Sequence, residues 1–291
     1  MGCPPRRDFL TWLASGFVLP IFHAIGVREP TSPALVMRIG AEKQRSENIA
    51  EDFRGEELRY RMSVLWIKEA AIGRTSFDEV HGDHLYRATL EGRTVGVIGW
   101  LTRYRRDTYT STMEVVDGGR RLRPLRFEEE SVIGQKIRKK ITFFDYLRGR
   151  LIERRMNRRG VFIQTEEEIL PGVIYDDFLT AFYNFRSGVY GEIKRGKRYR
   201  VKTLPKAGVS HIDVEIAAKG EEMRMRGYGG GEREGSEYHV TVILDKEITR
   251  SRTGKVSGWA SRDLVPIEGT IEDVVFVGDV HGFLIGERRA S

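Results

Sequence analysis

The sequence predicts a mainly β protein: a curved antiparallel sheet or open, barrel-like fold with one short amphipathic helix packed on it, preceded by an N-terminal signal helix. Three observations lead there. Beyond residue 57, apolar side chains recur at every second position. Glycine-rich turn clusters break those runs at intervals, and one segment alone switches to helical spacing. Side chains alternate faces along a strand, so a period of two buries one face and wets the other, as antiparallel sheets do.

The first run sets the pattern. Leu58, Tyr60, Met62, Val64 and Trp66 alternate with Arg59, Arg61, Ser63 and Leu65. It returns at Ile137, Ile141 and Phe143, with Lys139 interrupting, then at Ile212, Val214 and Ile216 against His211, Asp213 and Glu215, and again at Val240, Val242 and Leu244. Between the runs stand His81-Gly82-Asp83, Asp117-Gly118-Gly119, Gly229-Gly230-Gly231 and Thr253-Gly254-Lys255. Glycine reaches the positive φ that tight hairpins need. The exception is Tyr175 to Arg186, where Phe178, Leu179, Phe182 and Phe185 fall at helical spacing. Asp176 and Asp177 suit the positive end of a helix and Gly188 suits its stop. So aromatic a face must be covered, and plugging the concavity of a curved sheet covers it.

The amino terminus reads as an address. Arg6 and Arg7 precede Phe9 and Leu10, an apolar run extends to Val27, and Ala24 and Gly26 offer small residues for cleavage. This is the layout of a signal peptide over residues 1–26, and the paired arginines resemble a twin-arginine export motif. Residues 27–52 are then a polar linker, and 53–288 an antiparallel β domain. The expected destination is the periplasm or cell envelope, through twin-arginine or general export machinery. The only cysteine, Cys3, falls in the leader, so the mature protein would hold no disulfide or thiolate metal site. No later stretch has the apolar length of a membrane-spanning helix. Of the formal charge of +7, the leader holds +1 (Arg6, Arg7 and Asp8), leaving +6 of mixed, mostly alternating sign. That favours anionic partners without implying a single-sign field.

Four ordered stretches stand out: Gly55-Glu56-Glu57-Leu58-Arg59-Tyr60; Leu122 to Glu129; the helical Tyr175 to Tyr183; and Asp263 to Thr270 with Gly278-Asp279-Val280. Together they resemble domain of unknown function 3108, a family of exported bacterial envelope proteins. The resemblance implies a curved antiparallel sheet similar to the open barrels of periplasmic lipoprotein carriers. It implies no catalytic residues.

Several constellations need weighing. His81, Asp83 and His84 have metal-ligand spacing but also suit a solvated hairpin tip. Gly227-Tyr228-Gly229-Gly230-Gly231 lacks the following helix and lysine of a phosphate loop and reads as a hairpin. Lys136, Arg138, Lys139 and Lys140, with Arg154, Arg155, Arg158 and Arg159, form a basic patch. Glu128 to Glu130 and Glu166 to Glu168 are placed to neutralise it across strands, and export argues against nucleic acid. The carboxylate pairs Asp176–Asp177 and Asp273–Asp279 read as helix capping and turn chemistry. No cofactor is expected, and catalysis is the minority expectation.

The expected function is a non-catalytic envelope protein binding an apolar or amphiphilic, lipid-like ligand, or an envelope partner. Trp66, Trp100 and Trp259 from the strands and Phe178, Phe182 and Phe185 from the helix would line the cavity. The alternatives are a glycan-modifying or hydrolytic enzyme with His81, Asp83, Asp273 and Asp279 gathered on one face, and an assembly protein pairing through an open sheet edge.

Overall fold

A computed structural model describes residues 48–80, 84–206, 209–227 and 235–289. The leader with Arg6, Arg7, Phe9 and Leu10, the linker up to residue 47, the His81-Gly82-Asp83 turn and Gly229-Gly230-Gly231 lie outside the described residues. The chain lays down β1 (Glu56–Val64), β2 (Ile67–Val80), β3 (Leu85–Thr94), helix α1 (Gly96–Leu101), β4 (Arg106–Val116) and β5 (Arg121–Ile133). Then come β6 (Lys136–Asp145), β7 (Arg150–Met156), β8 (Phe162–Glu168) and α2 (Phe178–Arg186). The second half is β9 (Arg198–Lys206), β10 (Val209–Ile216), α3 (Lys219–Gly227), β11 (Tyr238–Ile243), α4 (Lys246–Thr249), β12 (Lys255–Ala260), β13 (Pro266–Val274) and β14 (Gly278–Arg288). The mainly antiparallel reading holds, but among the described residues three further short helices join the one expected on the sheet.

All fourteen strands form one open sheet in the order β8-β7-β6-β5-β4-β3-β2-β1-β14-β13-β12-β11-β10-β9, not closed into a barrel. One hairpin ladder grows outward from β1 to β8. The chain then crosses to the far edge, and a second ladder returns from β9 to β14, which pairs with β1 through Leu58↔Glu287 and Val64↔Val280. The crossing fixes the curvature. Laid flat, thirteen inter-strand gaps would separate the edges by about 60 Å. Yet Asp176 already bridges Thr203 on β9, and the stretch from Glu168 to Asp176 spans at most about 28 Å. The sheet must therefore curl until its two arms face each other across α2.

Helix α2 fills the space between them. Leu179 and Tyr183 pack with Phe53, Phe77, Tyr86, Tyr109, Met113, Leu122 and Phe127 of the first arm. Ala181 and Phe185 pack with Tyr199, Val201, Ile212, Val214 and Ile216 of the second. Tyr183, almost fully buried, sits 5.0 Å from the Phe53 ring and 4.7 Å from that of Phe77. Asp177 caps the helix by accepting from Leu179 N (2.9 Å) and Thr180 N (3.1 Å). The stop is Gly188, whose φ of +74° suits glycine and whose N–H closes on Phe185 O at 2.9 Å. Before β1, Ile49, Ala50 and Phe53 are already buried in the first cluster.

Strand phase follows the sequence in β1 and β10, where Leu58 and Val64, and Ile212, Val214 and Ile216, are buried. In β6 the expectation is inverted: Lys140, Thr142 and Phe144 are buried, while Ile137 is exposed and Ile141 and Phe143 stand half-buried on the other face. The strand carries apolar residues on both faces, and its register with β5 decides which turns inward. Lys140, aligned with Glu129, forms its ion pair with that residue.

Among the polar groups, the most deeply buried ion pair ties the last turn of α2 to β1. Arg186 donates to both carboxylate oxygens of Glu56 at 2.5 and 2.8 Å, and its guanidinium lies 4.8 Å from the Phe53 ring centre. Removing one partner of a buried pair leaves an uncompensated charge, at a cost of about 3–5 kcal/mol, whereas replacing both by apolar groups is often neutral. Glu56→Ala and Arg186→Ala are each expected to cost about that much in chemical denaturation, and Glu56→Met with Arg186→Met to recover most of it. Additive losses in the double variant would contradict the pairing.

Candidate functional site

The concave interior has little free space. Between Phe127 and Glu129 of β5, Asp177 and Phe178 of α2, Thr203, His211, Ile212 and Leu244, a cavity of about 30 Å³ remains. That is room for about one water molecule. Phe178 stacks edge-on against Tyr109 and Phe127 (5.2 and 5.6 Å), Phe182 against Tyr183 (5.0 Å), and Phe185 against Tyr199 (5.1 Å). The three phenylalanines are brought together as expected, but as a filled core.

The tryptophans do not join them, contrary to the expected lining. Trp66 is 83% exposed, because the alternation of β1 ends at Val64 and Leu65 turns the chain with φ +50°. Trp100 is 69% exposed on α1, a helix too short to show a period. Trp259 is buried, but on the opposite face from Ala260, which packs into the core. There it lies under the Arg226 guanidinium (4.6 Å) of α3 and edge-on to His239 (5.2 Å).

Polar contacts lock α2 in place. Asn184 accepts from Leu122 N and donates to Leu122 O, both at 2.9 Å. Strand β6 pairs only with Arg126 to Ile133 of β5, so this backbone, left without a ladder partner on that side, is satisfied by a side chain. Asp177 also accepts from Ser111 Oγ (2.6 Å) and Thr180 Oγ1 (2.8 Å). The adjacent aspartates have separate jobs. Asp176 holds the β9 edge through its backbone, donating to Lys202 O (3.0 Å) and accepting from Thr203 Oγ1 (2.8 Å). Its carboxylate takes Arg121 Nη2 at 2.9 Å and the Tyr190 hydroxyl. Capping alone, the sequence reading for both, describes only Asp177.

Burial pushes the Asp176 carboxyl up to about 6 from 3.8, against Arg121 and Tyr190, which pull it down. The same burial raises Asp177, and the buried Tyr146 and Tyr190 hydroxyls are raised above the usual phenol range.

The larger depression lies on the outer face. Met113, Leu122, Phe144 and Leu151 point into the core, so Glu114, Arg123, Phe143 and Ile152 beside them project the other way. With Leu125, Leu147 and Arg154 they line an open hollow of about 820 Å³ beside the β6–β7 turn. The Phe143 ring is flanked by the Arg126 and Arg154 guanidinium groups at 5.6 and 5.4 Å. Arg123 is held by Glu114 (2.6 Å) and lies over the Tyr146 ring (4.6 Å). Arg154 donates to the neutral Gln164 at 2.9 Å. The hollow was not legible in the sequence, because it depends on β6 presenting Phe143 outward.

Other constellations resolve structurally. Asp279 accepts from the Asp273 backbone N–H at 2.9 Å, which is turn chemistry. Lys139 meets Glu128 and Glu130 at 3.4 and 3.5 Å, so Lys139, like Lys140, faces acids of β5 as the sequence suggested, while Lys136 and Arg138 align with Ile133 and Ser131. Among the described residues, no three His, Cys, Asp or Glu side chains gather as a metal site. No described helix is long and apolar enough to cross a membrane.

The sequence model of the family described as protein of unknown function, DUF3108, matches residues 59–282. The chain belongs to the DUF3108 family. The match takes in α2, Asn184, the paired aspartates and the outer hollow of this DUF3108 domain, and stops short of Glu56. No curated protein and no solved structure matches the chain.

The Asp176 environment has a pH signature. A carboxyl whose pKa is raised on folding costs nothing while both states are protonated; its penalty grows as pH climbs from 3.8 to about 6 and is complete above. Asp176→Asn is therefore expected to gain stability relative to the parent between pH 4 and 7, by at most about 3 kcal/mol. Thermal melts across that range check it; parallel curves for the two proteins would contradict the assignment.

Proposed function

We propose that this DUF3108 protein is a non-catalytic protein of the cell envelope that binds an amphiphilic molecule in the outer hollow over β4–β7. The observation that carries the reading is a contrast of spaces. The cavity beside α2 holds about 30 Å³, too little for any lipid-like molecule, whereas the hollow offers about 820 Å³. The latter falls in the usual range for small-molecule sites. Its apolar lining of Leu125, Phe143, Ile152 and Leu147 suits a hydrocarbon segment. Arg154, hydrogen-bonded to a neutral amide, is positioned at the rim to meet an acidic head group.

The binding step needs no chemistry beyond burial and charge. An acyl segment over Phe143 and Ile152 removes apolar surface from water on both partners. Burial of the same contact desolvates the Arg154–anion pair and strengthens it.

Native mass spectrometry of the purified full chain, followed by delipidation and titration with a fluorescent fatty acid, tests the reading. Uptake is expected, weakened at least about tenfold by Phe143→Ser and by Arg154→Glu. No uptake by the parent, or equal uptake by both variants, would overturn it.

The destination rests on the Arg6-Arg7 leader. Arg6→Lys with Arg7→Lys is expected to leave the precursor inside the cell, as fractionation would read. Unchanged delivery would reject the twin-arginine route.

A further inference from the structure

We propose that the end of the sheet carrying the β1–β2, β3–β4, β5–β6 and β7–β8 connections is a docking surface for an anionic lipid bilayer. In a ladder of successive antiparallel hairpins, alternate connections emerge at the same end. These four therefore stand together, and neighbouring ones touch: Val95 N donates to Ala70 O (2.9 Å) and Gly134 N to Arg103 O (3.0 Å). The β13–β14 turn joins them, because Val280 pairs with Val64.

Two features coincide at this end. Large apolar side chains project into solvent: Leu65 and Trp66 from the first connection, Val97, Trp100, Leu101 and Tyr104 from the second, Ile137 from the third, and Val161 and Phe162 from the fourth. Phe276 from the β13–β14 turn is 97% exposed. Monomeric proteins seldom present so many such residues together without a partner. Over the same four connections (65–68, 96–106, 134–138 and 157–162) the chain carries Lys68, Arg103, Arg105, Arg106, Lys136, Arg138, Arg158 and Arg159, and not one Asp or Glu. The flanking acids are Glu69, exposed beside Lys68, and Asp107, which Arg105 engages at 2.7 Å. At the opposite end, the β4–β5 turn is Asp117-Gly118-Gly119-Arg120, without a large apolar residue, and the β6–β7 turn exposes Leu147.

The β13–β14 turn adds Asp273 and Asp279 at its ends, so the collar is mainly basic and not of a single sign; greasy tips inside it match a leaflet bearing anionic head groups. Trp and Tyr settle at the head-group level, aliphatic tips enter the acyl boundary, and Lys and Arg meet phosphates. An acidic protein would satisfy the collar but gives no reason for unconnected apolar tips spread over five connections. The surface is separate from the outer hollow, and its test does not require the hollow to bind anything.

The test uses the full chain and vesicles. The apolar leader stays identical in the parent and in both sets of surface variants, so it contributes a constant background to those comparisons. Co-sedimentation is expected with vesicles of phosphatidylglycerol and phosphatidylcholine, and much less with phosphatidylcholine alone. Trp66→Ser, Trp100→Ser and Phe276→Ser combined should lower partitioning at least about tenfold. Arg103→Glu, Lys136→Glu and Arg159→Glu combined should abolish the preference for phosphatidylglycerol. As a check that leaves the tips intact, Trp12→Phe with Trp259→Phe leaves Trp66 and Trp100 as the only tryptophans. Their fluorescence should shift to the blue and be quenched by brominated acyl chains. Partitioning unaltered by both sets of substitutions, no quenching, or binding to an acidic protein without binding to vesicles would overturn the proposal.

Discussion

Fourteen strands curled into one sheet leave a concave apolar face, and a single nine-residue helix keeps water from it. Sheets cannot leave such a face bare. The short link between β8 and Asp176 draws the far edge of the sheet over α2, so curvature and plug determine each other. Leu179 and Tyr183 serve one arm, Ala181 and Phe185 the other. Without that shared packing, the arms would have only the β1–β14 pairing and the crossing to hold them together.

Aromatic packing is non-directional, and the polar contacts supply the direction. Asp177 fixes where α2 starts, Asn184 fixes its rotation against β5, and Arg186 pins its last turn to Glu56. Each buries polar or charged atoms at a desolvation cost that only well-made partners offset. The raised pKa values of Asp176 and Asp177 reflect what remains of that cost. Specificity of placement thus comes from groups that by themselves add little to stability.

Much of this was legible in the chain. Regular alternation at Leu58 to Val64 and at Ile212 to Ile216 gave strand and phase together, and the aromatic spacing from Phe178 to Phe185 gave the helix and its plugging role. Legibility failed where local pattern does not decide. Strand β6 is apolar on both faces, so its register with β5 chose Phe144 over Phe143. Trp66 continued the alternation on paper but lies beyond the turn at Leu65. Trp100 sits on a six-residue helix of Gly, Val and Ile, too short to show a period. Glu56 and Arg186 are 130 positions apart, and nothing in either neighbourhood announces the other. The outer hollow and the tip surface follow from strand order, which periodicity cannot supply.

A filled interior is why both proposed binding surfaces of this DUF3108 protein lie outward, at the hollow over β4–β7 and at the greasy, mainly basic tips. Everything depends on α2 being a fixed part of the core and not a lid. Native-state hydrogen exchange tests that most directly. The account predicts that the amides of Ala181 to Arg186 exchange only through global unfolding, at the slow limit shared with the central strands β3, β4 and β5. Exchange of those amides orders of magnitude faster than the strands would mean that α2 opens by itself, returning the interior to contention as a binding cavity.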